Sequence, residues 1–268
     1  MSVAKVLPTI SVEGLTGCAG ELLVILENLD HLLPYVRIKS FPFAQSRNEG
    51  GPVDITFVEG SVSQSHDLEK LINIRANSRW LVAVGNCATT GCVQKASCQQ
   101  CSAKSMMQAV YGNDSTMSVL PAQPLEHYVK VDVSLPGCPI NATQFLAVAA
   151  SLLREQLPYI TSKPVCLECK MKENPCVLIE KNAPCLGPIT AAGCGALCPS
   201  VGAACYGCWG VCDEPQIEAM KIILSEKGYD VDEVYGRLKA FGAPEHLFER
   251  MDRKVSESRL KGNESKLK

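Results

Sequence analysis

The chain has 268 residues, 46% of them hydrophobic and 20% charged, with a formal net charge of −2. That composition excludes a disordered chain, which is more charged and less apolar, and disfavours a nucleic-acid binder, which is usually basic. The length suits one large domain or two modest ones with a real hydrophobic core.

The first part of the chain reads as alternating strands and helices. Val3–Val12 forms a first strand, and Glu21–Leu33 an apolar helix stopped by Pro34. Val36–Phe41 and Val53–Val58 are strands, the second an almost continuous apolar run typical of a buried parallel strand. His66–Ser78 is a helix with Leu68, Leu71 and Ile74 on one side, and Trp80–Gly85 is another buried strand. Residues 92–126 are polar, contain Gly112-Asn113-Asp114, and read as a long excursion of the kind that is functional or mobile. Val129–Val133 is one more strand and Ala142–Gln156 a helix. This alternation implies an α/β, doubly wound parallel sheet.

From Lys163 to Cys212 the periodicity disappears, and bound metal would have to supply the folding energy. Helical patterning then returns. Asp213 can cap a helix carrying Ile217, Met220, Ile223 and Leu224, with Gly228 as its stop. Val231, Val234, Leu238 and Phe241 mark a second helix, and Leu247, Phe248, Met251 and Val255 a third, before a frayed tail. The expected division is 1–160, 161–212 and 213–268.

No apolar run is long enough to span a bilayer. The N-terminus has neither a secretory signal nor a twin-arginine pair, so the expected location is the cytoplasm. The chain nevertheless holds 15 cysteines, and a reducing compartment does not use them as disulfides. Nine fall between Cys166 and Cys212, a pattern of metal or cluster ligation.

Cys18, Cys87 and Cys138 each follow a predicted strand or extended segment, with Gly17, Gly85 and Gly137 close by. Open α/β sheets bind ligands outside the carboxyl ends of their strands, so three strand ends can bring three thiols to one point. Packing as small buried hydrophobes is the competing account of these three. Cys166-x2-Cys169-x6-Cys176-x8-Cys185 and Cys194-x3-Cys198-x6-Cys205-x2-Cys208 make two sets of four, suited to zinc or to iron–sulfur. His31, His66, His127 and His246 lie away from these sets and read as surface residues.

An ordered series of motifs resembles the small, electron-transferring subunit of [NiFe] hydrogenases, particularly the cytosolic group that includes sulfhydrogenases. In the first half the carriers are Leu15-Thr16-Gly17-Cys18, Val58-Glu59-Gly60-Ser61-Val62, Val84-Gly85-Asn86-Cys87-Ala88 and Pro136-Gly137-Cys138-Pro139. In the second half they are Val165-Cys166-Leu167-Glu168-Cys169, Pro184-Cys185-Leu186-Gly187-Pro188, Ala192-Gly193-Cys194, Cys198-Pro199 and Cys205-Tyr206-Gly207-Cys208. The resemblance implies a flavodoxin-like domain with a proximal cluster beside a large-subunit partner, then a loop-rich iron–sulfur domain and C-terminal helices. It implies three [4Fe–4S] clusters. The distal set would be Cys166, Cys169, Cys176 and Cys185, and the medial set Cys194, Cys198, Cys205 and Cys208. Many periplasmic relatives have proline where Cys198 stands, so Cys198 argues for a four-iron medial cluster.

The first proximal motif departs from the family. Most relatives have C-x-x-C there, whereas this chain reads Cys18-Ala19-Gly20-Glu21. The F420-reducing branch is similar, with aspartate at that position and a cysteine where Cys92 stands. The implied proximal set is Cys18, Cys87 and Cys138 with Glu21 as fourth ligand, and Cys92 or an open iron site as the alternatives. An acidic residue in a first helical turn is also favoured by the helix dipole alone. Glu59 is a candidate for proton movement or for orienting a loop. Cys98, Cys101 and Cys212 have no assigned role, and Cys98-x2-Cys101 reads as a surface pair.

The implied function is an electron relay between the nickel–iron site of a large subunit and a flavin or iron–sulfur partner serving NAD(P), F420 or another low-potential acceptor. The chain lacks the paired C-x-x-C motifs that would hold nickel and is not catalytic alone. The F420 branch continues into ferredoxin-like cysteine runs that are absent here, so the acceptor stays open. Rival readings are an electron-transfer subunit related to respiratory complex I or to another non-hydrogenase oxidoreductase, and a zinc-stabilised structural protein.

Overall fold

In the computed structural model, residues 6–96, 102–112 and 118–243 are described. Seven strands are β1 (Thr9–Gly14), β2 (Arg37–Ser40), β3 (Val53–Glu59), β4 (Val62–Gln64), β5 (Ser78–Val84), β6 (Val119–Gln123) and β7 (Val133–Leu135). Five of them form a parallel sheet in the order β2-β1-β3-β5-β7. That is the flavodoxin-like order, with its topological switch between β1 and β3.

Helices α1 (Gly20–Glu27), α2 (Ser65–Asn77), α3 (Gly85–Thr90), α4 (Cys92–Ala96), α5 (Ala103–Tyr111) and α6 (Ala142–Leu153) complete this half. Side chains alternate across each strand, so each face of the sheet needs its own cover. Ile10, Val12, Ile55, Phe57, Val82 and Val84 bury against Leu22 and Ile25 of α1 and Phe145, Val148 and Leu152 of α6. On the other face, Val58, Leu81 and Ala83 pack on Leu71 of α2. The doubly wound expectation holds.

Beyond it, α7 (Val165–Met171), α8 (Val177–Glu180), α9 (Leu197–Ser200), α10 (Ile217–Glu226) and α11 (Val231–Ala240) surround a further core. Val165, Leu186, Ile189, Met220, Leu224, Tyr235 and Leu238 pack there with the cysteines Cys185 and Cys205. No helix among the described residues is long and apolar enough to cross a membrane.

Several boundaries differ from the sequence expectation. The first helix ends at Glu27, because Asn28 Nδ2 donates back to the Val24 carbonyl and a 3₁₀ turn, Leu29–His31, follows. The strand expected at Val129–Val133 begins only at Val133; Val129 and Val131 pack on the α2 side of the core instead. The excursion at 92–126 is partly regular, with α4, α5 and β6, which pairs antiparallel with β4. Asp213 is no cap: it accepts from the Ser162 hydroxyl, and Gln216 stands before α10. The third C-terminal helix, the tail and His246 lie outside the described residues, as do Cys98 and Cys101.

Candidate metal centres

The carboxyl ends of four parallel strands supply the first group. Gly14 ends β1, and the loop after it is pinned: Leu15 N donates to the Glu59 carbonyl at 2.8 Å, and Thr16 and Ser61 exchange backbone bonds. The loop presents Cys18 at the surface, and Ala19 turns left-handed (φ 62°) into α1. Glu21, in the first turn of α1, points inward and is 1% exposed; Glu59, the last residue of β3, is 2% exposed. A ligand atom from each of Cys18, Glu21 and Glu59 lies within 4.8 Å of the other two.

Burial raises both carboxyl pKa values, and Glu59 is pushed up to about 7 by burial and then by the neighbouring Glu21 charge. The two share a hydrogen bond, yet Glu21 Oε2 and Glu59 Oε1 are buried with no hydrogen-bond partner. A Cβ at Gly17 would overlap the Glu59 carboxyl group, and one at Gly85 would overlap that of Glu21. The two glycines therefore let the backbone close on the acid pair.

Cys87 comes from α3 after β5, Cys92 opens α4, and Cys138 follows β7. The Cys92 thiol hydrogen-bonds Cys138, which lowers its pKa, but the bond to Cys87 and burial outweigh this and hold it at about 11. The hydrogen bond to Cys92 and burial push Cys138 up, and it also feels the Glu21 charge. The structure thus sets Cys18, Glu21 and Glu59 within 4.8 Å of one another and joins Cys92 to Cys87 and Cys138 by hydrogen bonds, with Cys138 feeling the Glu21 charge.

Eight thiols follow in two further groups. Cys166 and Cys169 lie one turn apart on α7, Cys176 precedes α8, and Cys185 sits beside Gly187. Burial, then the charges of Cys185, Cys169 and Cys176, raise the Cys166 thiol to about 11. Cys194 and Cys198 flank the start of α9, and burial with the charges of Cys194, Cys198 and Cys138 raises Cys208 to about 11. Cys205, raised to about 12 mainly by burial, interacts with both Cys185 and Cys208. The middle group therefore neighbours both others: Cys205 N donates to Cys185 Sγ at 3.3 Å, and Cys208 feels the Cys138 charge.

Converging thiols, close glycines and orphaned carboxylate oxygens fit iron–sulfur groups by donor chemistry. Cys212 takes no part; it is buried against Trp209, its thiol near the Pro188 carbonyl. His31, His66 and His127 are exposed, as expected.

Two polar residues escaped the sequence reading as site residues. Glu168, between Cys166 and Cys169, braces the next group: its Oε1 accepts from Gly193 N at 3.0 Å and its Oε2 from Ala196 N at 3.1 Å. Asn86, beside Cys87, is fully buried. Their only signal was adjacency to a ligand-type cysteine.

The raised carboxyl pair has a measurable consequence. A carboxyl whose pKa is higher in the fold than in the unfolded chain contributes stability below pH 4.5, and that stability is lost as pH rises toward 7. Glu59→Gln removes the penalty. It should raise stability in urea denaturation at pH 8 by roughly 3 kcal/mol and change little at pH 5. An equal gain at both pH values would refute the assignment.

An α/β protein with metal-type donors at its strand ends defines the class, and comparison with known proteins narrows it. Residues 16–152 match the family model NADH ubiquinone oxidoreductase, 20 Kd subunit. The chain is 38% identical over 226 residues to sulfhydrogenase 2 subunit delta of Pyrococcus furiosus, covering 84% of this chain and 94% of that one. It is 30% identical to a vhu-type F420-non-reducing hydrogenase subunit of Methanocaldococcus jannaschii, covering 88% and 94%. A chain of the NAD+-reducing [NiFe]-hydrogenase in the H2-reduced state superimposes with a TM-score of 0.51 at 26% identity, over 57% of this chain and 95% of that one. The chain belongs to the family of hydrogenase small subunits and the related NADH ubiquinone oxidoreductase 20 Kd subunit.

Proposed function

We propose that this chain is the iron–sulfur subunit of a [NiFe] hydrogenase. It relays electrons between the nickel–iron site of a large subunit and a flavin or iron–sulfur partner serving NAD(P), F420 or another low-potential acceptor. The observation that carries the reading is the contact of the middle donor group with each of the other two, with Cys18 of one outer group and Cys176 of the other exposed. A zinc-stabilised protein needs closed sites but no such continuity. The proposed ligands are Cys18, Glu21, Cys87 and Cys138 proximally, Cys194, Cys198, Cys205 and Cys208 medially, and Cys166, Cys169, Cys176 and Cys185 distally. When bound, three [4Fe–4S] clusters would supply one-electron chemistry at potentials set by burial and hydrogen bonding.

The chain's own residues do the rest. Leu186, Ile189 and Leu238 keep water from the distal and medial thiols. Gly187 leaves room between Cys166 and Cys185, 3.6 and 3.5 Å from where its Cβ would stand. Glu59 orients the loop that carries Cys18 and can hold a proton beside it. The cytoplasm is the proposed compartment, because a reducing environment keeps the thiols available.

Anaerobic purification with partner subunits, metal analysis and EPR test the proposal. The expected result is about twelve irons per chain, four for each cluster, with nickel in a partner. Zinc without iron overturns it. The fourth proximal ligand is tested separately: Glu21→Cys should alter the proximal signal and potential, whereas Cys92→Ser should leave both in place. The reverse pattern would make Cys92 the ligand.

A further inference from the structure

The proximal and medial donor groups belong to different parts of the chain, and a single buried side chain joins them. Asn86 precedes the proximal residue Cys87, and its side chain has no exposure to solvent. Its backbone N–H donates to the Gly137 carbonyl at 2.9 Å, and its Oδ1 accepts from Gly137 N at 2.8 Å. Gly137 in turn precedes Cys138. The amide nitrogen, Nδ2, leaves the proximal group and donates to the carbonyl of Cys208 at 2.7 Å and, at 3.4 Å, to that of Phe241. One amide thus holds both neighbours of the proximal thiols and the backbone of a medial one.

The space beside this bond is filled. Trp209, next to Cys208, is 6% exposed and wedges between the two loops. A Cβ at Gly137 would stand 3.0 Å from its ring edge, and a Cβ at Gly193 would stand 2.6 Å from its Nε1. Both glycines sit at positive φ, 136° and 130°, which a side chain would strain. The wedge excludes water from the junction, and a hydrogen bond in such a setting is electrostatically stronger than in water.

We propose that Asn86 is the bridge through which an electron passes between the proximal and medial sites. The inference rests on the relay reading above. From Cys87 Sγ the route runs through the Asn86–Cys87 peptide and the Asn86 side chain to the Cys208 carbonyl and Cys208 Sγ. It has a single non-covalent link, the 2.7 Å hydrogen bond. Electronic coupling decays less along bonds than across a packed gap, which favours this route. With clusters held by these cysteines, the transfer would move one electron, oxidising the proximal site by one and reducing the medial site by one. No bond is made or broken and no proton moves. Hydrogen is the reductant.

The test uses the assembled complex carrying Asn86→Leu, which keeps most of the volume and loses all three side-chain hydrogen bonds, and Asn86→Ala, which relieves any crowding. Three quantities are measured against the unaltered complex. They are iron content, spin–spin coupling between the proximal and medial signals in fully reduced EPR spectra, and the rate at which the medial signal appears after rapid mixing with hydrogen. The expected result in at least one variant is full iron and unchanged coupling, with the medial signal appearing about 10- to 100-fold more slowly, the usual cost of losing a residue next to metal ligands. A rate within twofold of the unaltered complex at full iron overturns the bridge. So does a slower rate that comes with altered coupling, because the distance has then changed. Loss of iron from both variants also overturns it, since Asn86 would then be needed to build a site. Zinc in place of iron in the unaltered complex is a different failure, that of the relay reading itself.

Discussion

Removing iron from the assembled protein with an oxidant and a chelator should unfold residues 163–212 while the parallel sheet stays folded. The helices of that stretch, α7, α8 and α9, span seven, four and four residues. Isolated helices below about 12 residues are marginal in water, so local propensity does not hold them. Their thiols sit where apolar side chains would otherwise stand, with Cys185 and Cys205 inside the second core. Structural metal sites typically contribute on the order of 10 kcal/mol to folding, comparable with the whole stability of a domain. Hydrogen exchange should therefore accelerate through 163–212 and remain slow in β3 and β5. Uniform protection in both halves after iron loss would contradict the expectation. Refilling should depend on pH in a definite direction. Cys166 and Cys208 at about 11 and Cys205 at about 12 are protonated at neutral pH, so ligation must release their protons. Iron uptake should then strengthen as pH rises.

Phe145→Ala should cost the sheet half about 3–5 kcal/mol. Phe145 on α6 has no exposure and meets Phe57 of β3 edge to face, with ring centroids 5.1 Å apart. Truncation deletes the transfer free energy of the ring and leaves a cavity in the layer that α6 shares with α1 on one face of the sheet. The aromatic pair adds roughly 0.5–1.5 kcal/mol beyond its area. Ile72→Ala, at a side chain 54% exposed on α2, is the control and should stay within about 0.5 kcal/mol. Urea denaturation followed in the N-terminal half decides it, and a loss below about 1 kcal/mol for Phe145→Ala would mean the site collapses without a cavity. The effect should reach the metal centres, because Gln144, next to Phe145, lies against Gly193 and its Oε1 is buried without a partner.

The buried strands were legible because β3 and β5 carry near-continuous apolar runs, and a two-sided parallel strand has no polar face to confuse the pattern. β4 and β6 were not. Each is short, their pairing is antiparallel between distant segments, and neither Val62–Gln64 nor Val119–Gln123 has an alternating signature. The start of α10 was misplaced because Asp213 offers a capping side chain that the tertiary structure uses elsewhere, on Ser162. At the candidate sites, spacing alone proposed the sets Cys166 to Cys185 and Cys194 to Cys208, since short loops can return nearby cysteines to one point.

Residue order alone determined the class of fold, the family and the inventory of thiols, because each is written in local pattern or in motif order. The tertiary structure decided what lies next to what. It buried Glu59 of β3 against Glu21 of α1, residues 38 positions apart in the sequence; burial raised both carboxyl pKa values, and the Glu21 charge raised that of Glu59 further. It carried Cys92 into hydrogen-bonding contact with Cys87 and Cys138. It also placed Asn86 against a carbonyl 122 residues away. Burial, charge proximity and hydrogen bonding act through space over a few ångströms, and only the folded chain specifies those distances.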